Sequence, residues 1–165
     1  MDRSAYTIGR LLTIHMLGLF PFTLIGYLGA ISGLKPIQIG SYVIEGWRAG
    51  ICCIVQLLTA TFILGTFNWL VFKLGRLVRP LGRSTSPYAF KTLFLYYALV
   101  LVPLVFVNAI LVTFHLAAFN FNNKPHYGIW AGLGDLILAP VIPLMLSALF
   151  WPLLNLGAFL EKRLT

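Results

Sequence analysis

The sequence predicts an all-α integral membrane protein: a four-transmembrane-helix bundle with kinked helices and both termini cytoplasmic. Three observations carry that expectation. Of the 165 residues, 59% are hydrophobic and only 10% charged, whereas soluble domains carry about 25% charged residues. So few charges cannot clothe a water-facing surface, which excludes a water-soluble globular enzyme. The apolar residues gather into four stretches, each at or above the ~20 residues that cross ~30 Å of hydrocarbon. Finally, 12 Lys and Arg against 4 Asp and Glu sit between those stretches, where they meet lipid headgroups and set topology.

The crossings are expected near residues 11–32, 48–71, 93–119 and 129–154. Loop signals separate them: Gly33-Leu34-Lys35-Pro36, a basic segment from Lys73 to Lys91 holding Pro80, Gly82 and Pro87, and Asn120-Phe121-Asn122-Asn123-Lys124-Pro125. With no long polar segment and no fixed-period repeat, residues 1–165 read as one membrane domain. Arg3 and Arg10 before an apolar run resemble a secretory signal. That run exceeds the ~7–15 residues of a signal core and contains His15 and Pro21, so Met1 is expected to stay.

Orientation follows from the flanks. With the N-terminus inside, Arg3, Arg10, Lys73, Arg76, Arg79, Arg83, Lys91, Lys162 and Arg163 are cytoplasmic, and only Lys35, Arg48 and Lys124 are outside. Positive residues resist translocation, so nine against three favours this orientation, in a bacterial inner membrane. Trp47 and Trp130 then mark outer interfaces, and Trp69 and Trp151 inner ones. The same distribution argues against a nucleic-acid partner despite the net charge of +8, because the cations flank apolar runs instead of forming one stripe.

Pro21, Pro103, Pro140 and Pro143 fall inside the expected crossings, and each removes a helical hydrogen bond. Gly26, Gly29 and Gly33 in the first crossing, with Ala49, Cys52, Cys53 and Ala60 in the second, offer small-residue surfaces for close packing. Cys52 and Cys53 are immediate neighbours, poorly placed to bridge each other.

Counting depth at ~1.5 Å per residue gives an outer polar cluster: Gln56, Asn108 and Asp135 below the surface, with Glu45, Arg48, His115 and His126 at or above it. A smaller group, His15, Asn68 and Asn155, falls near the inner surface. Asp135 is the most informative, since an intramembrane carboxylate needs a partner. Arg48 and His115 are at compatible depth, and an Asp135–Arg48 pair would join the second and fourth crossings.

No cofactor and no metal are expected. His15 and His115 lie near opposite surfaces, too far apart to share a haem iron. His115, His126 and Asp135 lack a tight ligand spacing. Ser32-Gly33 has the form of a helix terminus rather than a protease nucleophile. The inner basic segment is different: Lys73, Arg76, Arg79, Arg83 and Lys91 alternate with Leu and Val, a pattern suited to anionic lipid headgroups or a cytoplasmic partner.

Gly65-Thr66-Phe67-Asn68-Trp69, the basic glycine-bearing loop, Phe90 and the run from Tyr97-Ala98 to Val102-Pro103-Leu104 resemble the Gly-x3-Trp, loop, Ala-x3-Pro-Leu pattern of bacterial Yip1-type membrane proteins. That likeness covers about a third of the chain and implies a non-enzymatic membrane scaffold. The family usually has five crossings, and its eukaryotic members carry an Asp-Leu-x-Gly-Pro element that this chain lacks. The functional expectation is therefore a non-enzymatic subunit or partner-binding component of a membrane assembly, with other membrane subunits or further copies as partners. A channel or transporter subunit, or immunity to a membrane-inserting toxin, is the alternative.

Overall fold

A computed structural model describes residues 7–33, 37–39, 42–44, 46–78, 88–121 and 124–164, with only the backbone at 37–39, 42 and 121. The elements are α1 (Ile8–Ile31), β1 (Ile37–Ile39), β2 (Tyr42–Ile44), α2 (Gly46–Val78), α3 (Phe90–Thr113), β3 (Phe119–Phe121), β4 (Lys124–His126), α4 (Ile129–Leu138) and α5 (Val141–Leu164). α1, α2, α3 and the span Ile129–Leu164 are each long and apolar enough to cross a membrane, as a multi-pass integral membrane protein requires. Outward-facing apolar side chains such as Ile25 (70% exposed) and Ile137 (72% exposed) suit lipid rather than water.

Local sequence sets the helix ends. Thr7 is extended and its hydroxyl accepts from the Arg10 amide, capping α1. α1 closes through Gly33 at φ 73°, where glycine pays no steric penalty. α3 stops at Thr113, six residues short of the expected end at 119. The His115 amide donates to the Val112 carbonyl (3.2 Å) and the Leu116 amide to the Leu111 carbonyl (2.8 Å). These two bonds define a Schellman closure, with His115 at φ 62° in the position usually held by glycine. The residues beyond it form hairpin β3–β4, with Phe119 opposite His126. Hairpin β1–β2 pairs Ile37 with Ile44.

α1 and α3 run unbroken through Pro21 and Pro103. The expected fourth crossing is divided at Ala139–Pro140. Pro140 has no amide hydrogen to continue the ladder, and the Ala139 amide bonds back to Leu136 in a tighter turn (3.1 Å).

The chain divides into two compact units: a terminal one, Asp2–Leu70 with Pro152–Thr165, and a central one, Val71–Trp151. In the terminal unit Leu11, Ile14, His15, Asn68 and Leu154 are buried. α1 and α5 approach to backbone contact. A Cβ added at Gly18 would lie 2.5 Å from the Leu153 carbonyl oxygen, and one at Gly157 would fall on the Ile14 carbonyl. Such contacts let membrane helices gain dispersion energy where the hydrophobic effect between them is absent. Near the other end of α1, Ala30, Ala49 and Cys53 form a small-residue cluster with Tyr27 and Ile44 packed on it. In the central unit Phe72 and Tyr97 of neighbouring helices meet Tyr96 and Phe150 respectively, each pair with ring centroids 5.9 Å apart. Gly132 seats α4 on the Ala109 carbonyl and Thr113 hydroxyl of α3.

Candidate functional site

Three polar features stand out among the described residues of the hydrophobic spans. The first is in the central unit, where α3 and α4 are locked together by Gly132. Asn108 is five residues before the end of α3 and Asp135 six residues into α4, which places both about 8–9 Å from that end of their helices. The Asn108 amide donates to Asp135 Oδ2 at 2.5 Å, and Asp135 is only 8% exposed. Of the seven expected cluster residues, the structure brings these two together, and Asn108 is the partner it gives Asp135. His115 stacks on Tyr127 instead, with centroids 5.5 Å apart and planes 15° from parallel. Arg48 belongs to the terminal unit, where its guanidinium covers the Trp47 ring at 5.6 Å. Glu45 lies outside the described residues.

The second feature joins α1 to α2 in the terminal unit. His15 and Asn68 are both fully buried. His15 Nδ1 lies 2.7 Å from the Leu11 carbonyl, which can only accept, so Nδ1 carries the proton. Nε2 then accepts from the Asn68 amide at 2.9 Å, and the same amide nitrogen also donates to the Leu64 carbonyl at 3.0 Å. This arrangement is satisfied by a neutral imidazole in one tautomer. Nearer the chain ends, Arg10 Nε pairs with Glu161 at 3.1 Å, tying α1 to α5.

The third feature is a groove of about 300 Å³ between α1 and α2, lined by Leu19, Phe22, Gly26, Cys53, Gln56 and Ala60 among others. Gly26 leaves it open, since nothing lies within 4 Å of where its Cβ would be. Gln56 is exposed there and makes no side-chain hydrogen bond among the described residues. It stands ten residues into α2, about 15 Å along the helix and so near mid-bilayer.

The inner basic residues divide. Lys73 and Arg76 belong to the last turns of α2, which continues to Val78 beyond the expected end at 71; Lys91 is exposed at the start of α3. Arg79 and Arg83 lie outside the described residues. The sequence alone singled out neither Gly18 and Gly157 nor Gly132, because a lone glycine in a membrane helix is common and only a neighbour's position shows its purpose. Comparison with family models, curated proteins and solved structures gives no match.

Proposed function

We propose that this chain is a non-enzymatic, multi-pass subunit of a membrane assembly, which receives a partner's transmembrane helix in the groove between α1 and α2. Gln56 carries the reading. A primary amide presented at mid-bilayer depth has two donors and an acceptor that lipid tails cannot satisfy. The small residues beside it, Gly26, Cys53 and Ala60, let another backbone approach, which is how membrane helices associate. The occupant is therefore an apolar helix bearing an amide or hydroxyl side chain at matching depth. The Yip1-type resemblance, with its scaffold role, supports the same class. The reading keeps both termini cytoplasmic in a bacterial inner membrane, which reporter fusions at Lys35, Arg83 and Lys124 check.

A photo-crosslinking amino acid at position 56, compared with one at the outward-facing Ile63 (58% exposed), tests the proposal in native membranes. The expected result is a protein adduct from position 56 alone, mapping to an apolar segment. A Gln56→Leu chain should lose that assembly on native gels. Lipid adducts only, or an assembly unchanged by Gln56→Leu, would overturn it.

One observation favours a second reading, a cation or proton path. The Ala139–Pro140 interruption falls about 15 Å into the fourth crossing, one turn past Asp135, and broken helices beside intramembrane acids mark ion sites in transporters. Proteoliposome flux of wild type against Asp135→Asn decides it. Equal, negligible flux removes it.

A further inference from the structure

The basic end of the central unit holds residues that the partner groove leaves unused. α2 has 33 residues, so at 1.5 Å per residue it is about 50 Å long. A bilayer offers ~30 Å of hydrocarbon and ~40–45 Å including headgroups. With Gly46 and Trp47 at one interface, Lys73 lies about 40 Å along the helix, so the last two turns of α2 stand at the phosphate layer of the opposite leaflet.

Those turns have three distinct faces at 100° per residue. Val71, Phe72 and Gly75 are buried. Gly75 admits the Tyr96 ring of α3 so closely that a Cβ would sit 2.7 Å from it. Lys73 and Arg76 follow on one flank. Leu74, Leu77 and Val78 fill the remaining arc, with Leu77 76% exposed. The Gly75–Tyr96 contact also fixes α3 beside this end of α2, so Lys91, five residues before Tyr96, brings a third cation to the same end of the pair, about 6 Å beyond Arg76 along the helix direction and within reach of its long side chain.

Topology anchoring explains the cations but not a row of exposed leucine and valine among them. Together, cations at phosphate depth and an adjoining apolar strip match a molecule that is anionic at one end and apolar below. We infer that this end of α2 and α3 binds an anionic phospholipid, its phosphodiester held by Lys73, Arg76 and Lys91 and its glycerol and upper acyl chain lying on Leu74, Leu77 and Val78. Each cation near an anionic surface contributes enough to change occupancy about five-fold.

The test uses full-length protein in nanodiscs of equimolar phosphatidylcholine and phosphatidylglycerol, released into native mass spectrometry to count retained lipid. Wild type should keep phosphatidylglycerol in preference. Lys73→Gln/Arg76→Gln/Lys91→Gln should lower that preference by at least ten-fold, while Lys162→Gln/Arg163→Gln at the end of α5 should leave it within two-fold. Lys73→Arg/Lys91→Arg should retain it, which separates charge from folding. Leu77→Ser/Val78→Ser should weaken retention several-fold; if it does not, the site takes a bare phosphate group and the lipid assignment fails. Equal loss from the α5 variant would show diffuse attraction to the leaflet and overturn the site.

Discussion

The His15–Asn68 pair allows a quantitative test of how α1 and α2 are held together. Asn68→Leu removes the amide that donates to His15 Nε2 at 2.9 Å, in a site with no solvent exposure. Taking a hydrogen-bond donor from a buried acceptor costs up to about 1–3 kcal/mol. Hydrogen bonds between membrane helices couple less strongly, averaging about 0.6 and reaching about 1.7 kcal/mol, because separated helices in the bilayer find other partners. Complete burial places this pair toward the upper end, so each of Asn68→Leu and His15→Leu should lose about 1–2 kcal/mol. The double variant, which removes both polar groups together, should be less harmful than the sum of the singles by about 1 kcal/mol. Reversible unfolding in bicelles titrated with dodecyl sulfate measures all four corners of the cycle. Nitrogen NMR on labelled histidine should find the His15 proton on Nδ1 in wild type. Strict additivity, or a proton on Nε2, would refute the pairing described above.

Other substitutions test the remaining contacts. Gly157→Ala places a methyl group on the Ile14 carbonyl and should destabilise by about 3 kcal/mol in the same assay. Gly9→Ala, with nothing within 4 Å, should be neutral or stabilising by up to about 1 kcal/mol. Thr61→Val should stabilise by about 1 kcal/mol, since the Thr61 hydroxyl is buried without a hydrogen-bond partner among the described residues. His115→Gly should gain about 0.5–1 kcal/mol by relieving a positive φ, the gain being reduced by the lost stack on Tyr127. His115→Val should lose stability, because a β-branched residue tolerates that backbone poorly. If the glycine and valine variants behave alike, the α3 terminus does not depend on the left-handed residue.

The number of membrane-length helices was legible in the sequence because composition and run length together leave few alternatives. Helix ends were less so, for identifiable reasons. Gly33 announces the end of α1, but α3 closes with the same hydrogen bonds around His115, a residue type that signals no stop. Apolar Leu116, Ala117, Ala118 and Phe119 then prolong the hydrophobic run past the true terminus. Both hairpins carried a readable signal. Ile37-Gln38-Ile39 and Tyr42-Val43-Ile44 flank Gly40-Ser41, two residues apart, as Phe119-Asn120-Phe121 and Lys124-Pro125-His126 flank Asn122-Asn123. The three-residue strands were too short to compete with the loop composition around them.

Depth counting placed Asn108 level with Asp135, and His15 level with Asn68, because rise per residue is nearly constant along a helix. It could not choose partners, since partners depend on rotation about the axis. A formal charge made Arg48 the obvious mate for Asp135, yet the structure gives it a neutral amide. Rotation is fixed by small contacts: Gly132 against the α3 backbone turns Asp135 toward Asn108, and Gly157 and Gly18 bring α5 onto α1. Gln56 is the converse case. Its depth was equally legible, but the structure turns it into a groove with no side-chain hydrogen bond among the described residues. In a bilayer an outward-facing amide is more costly than an inward-facing one. The proposed partner helix therefore rests on the groove around Gln56.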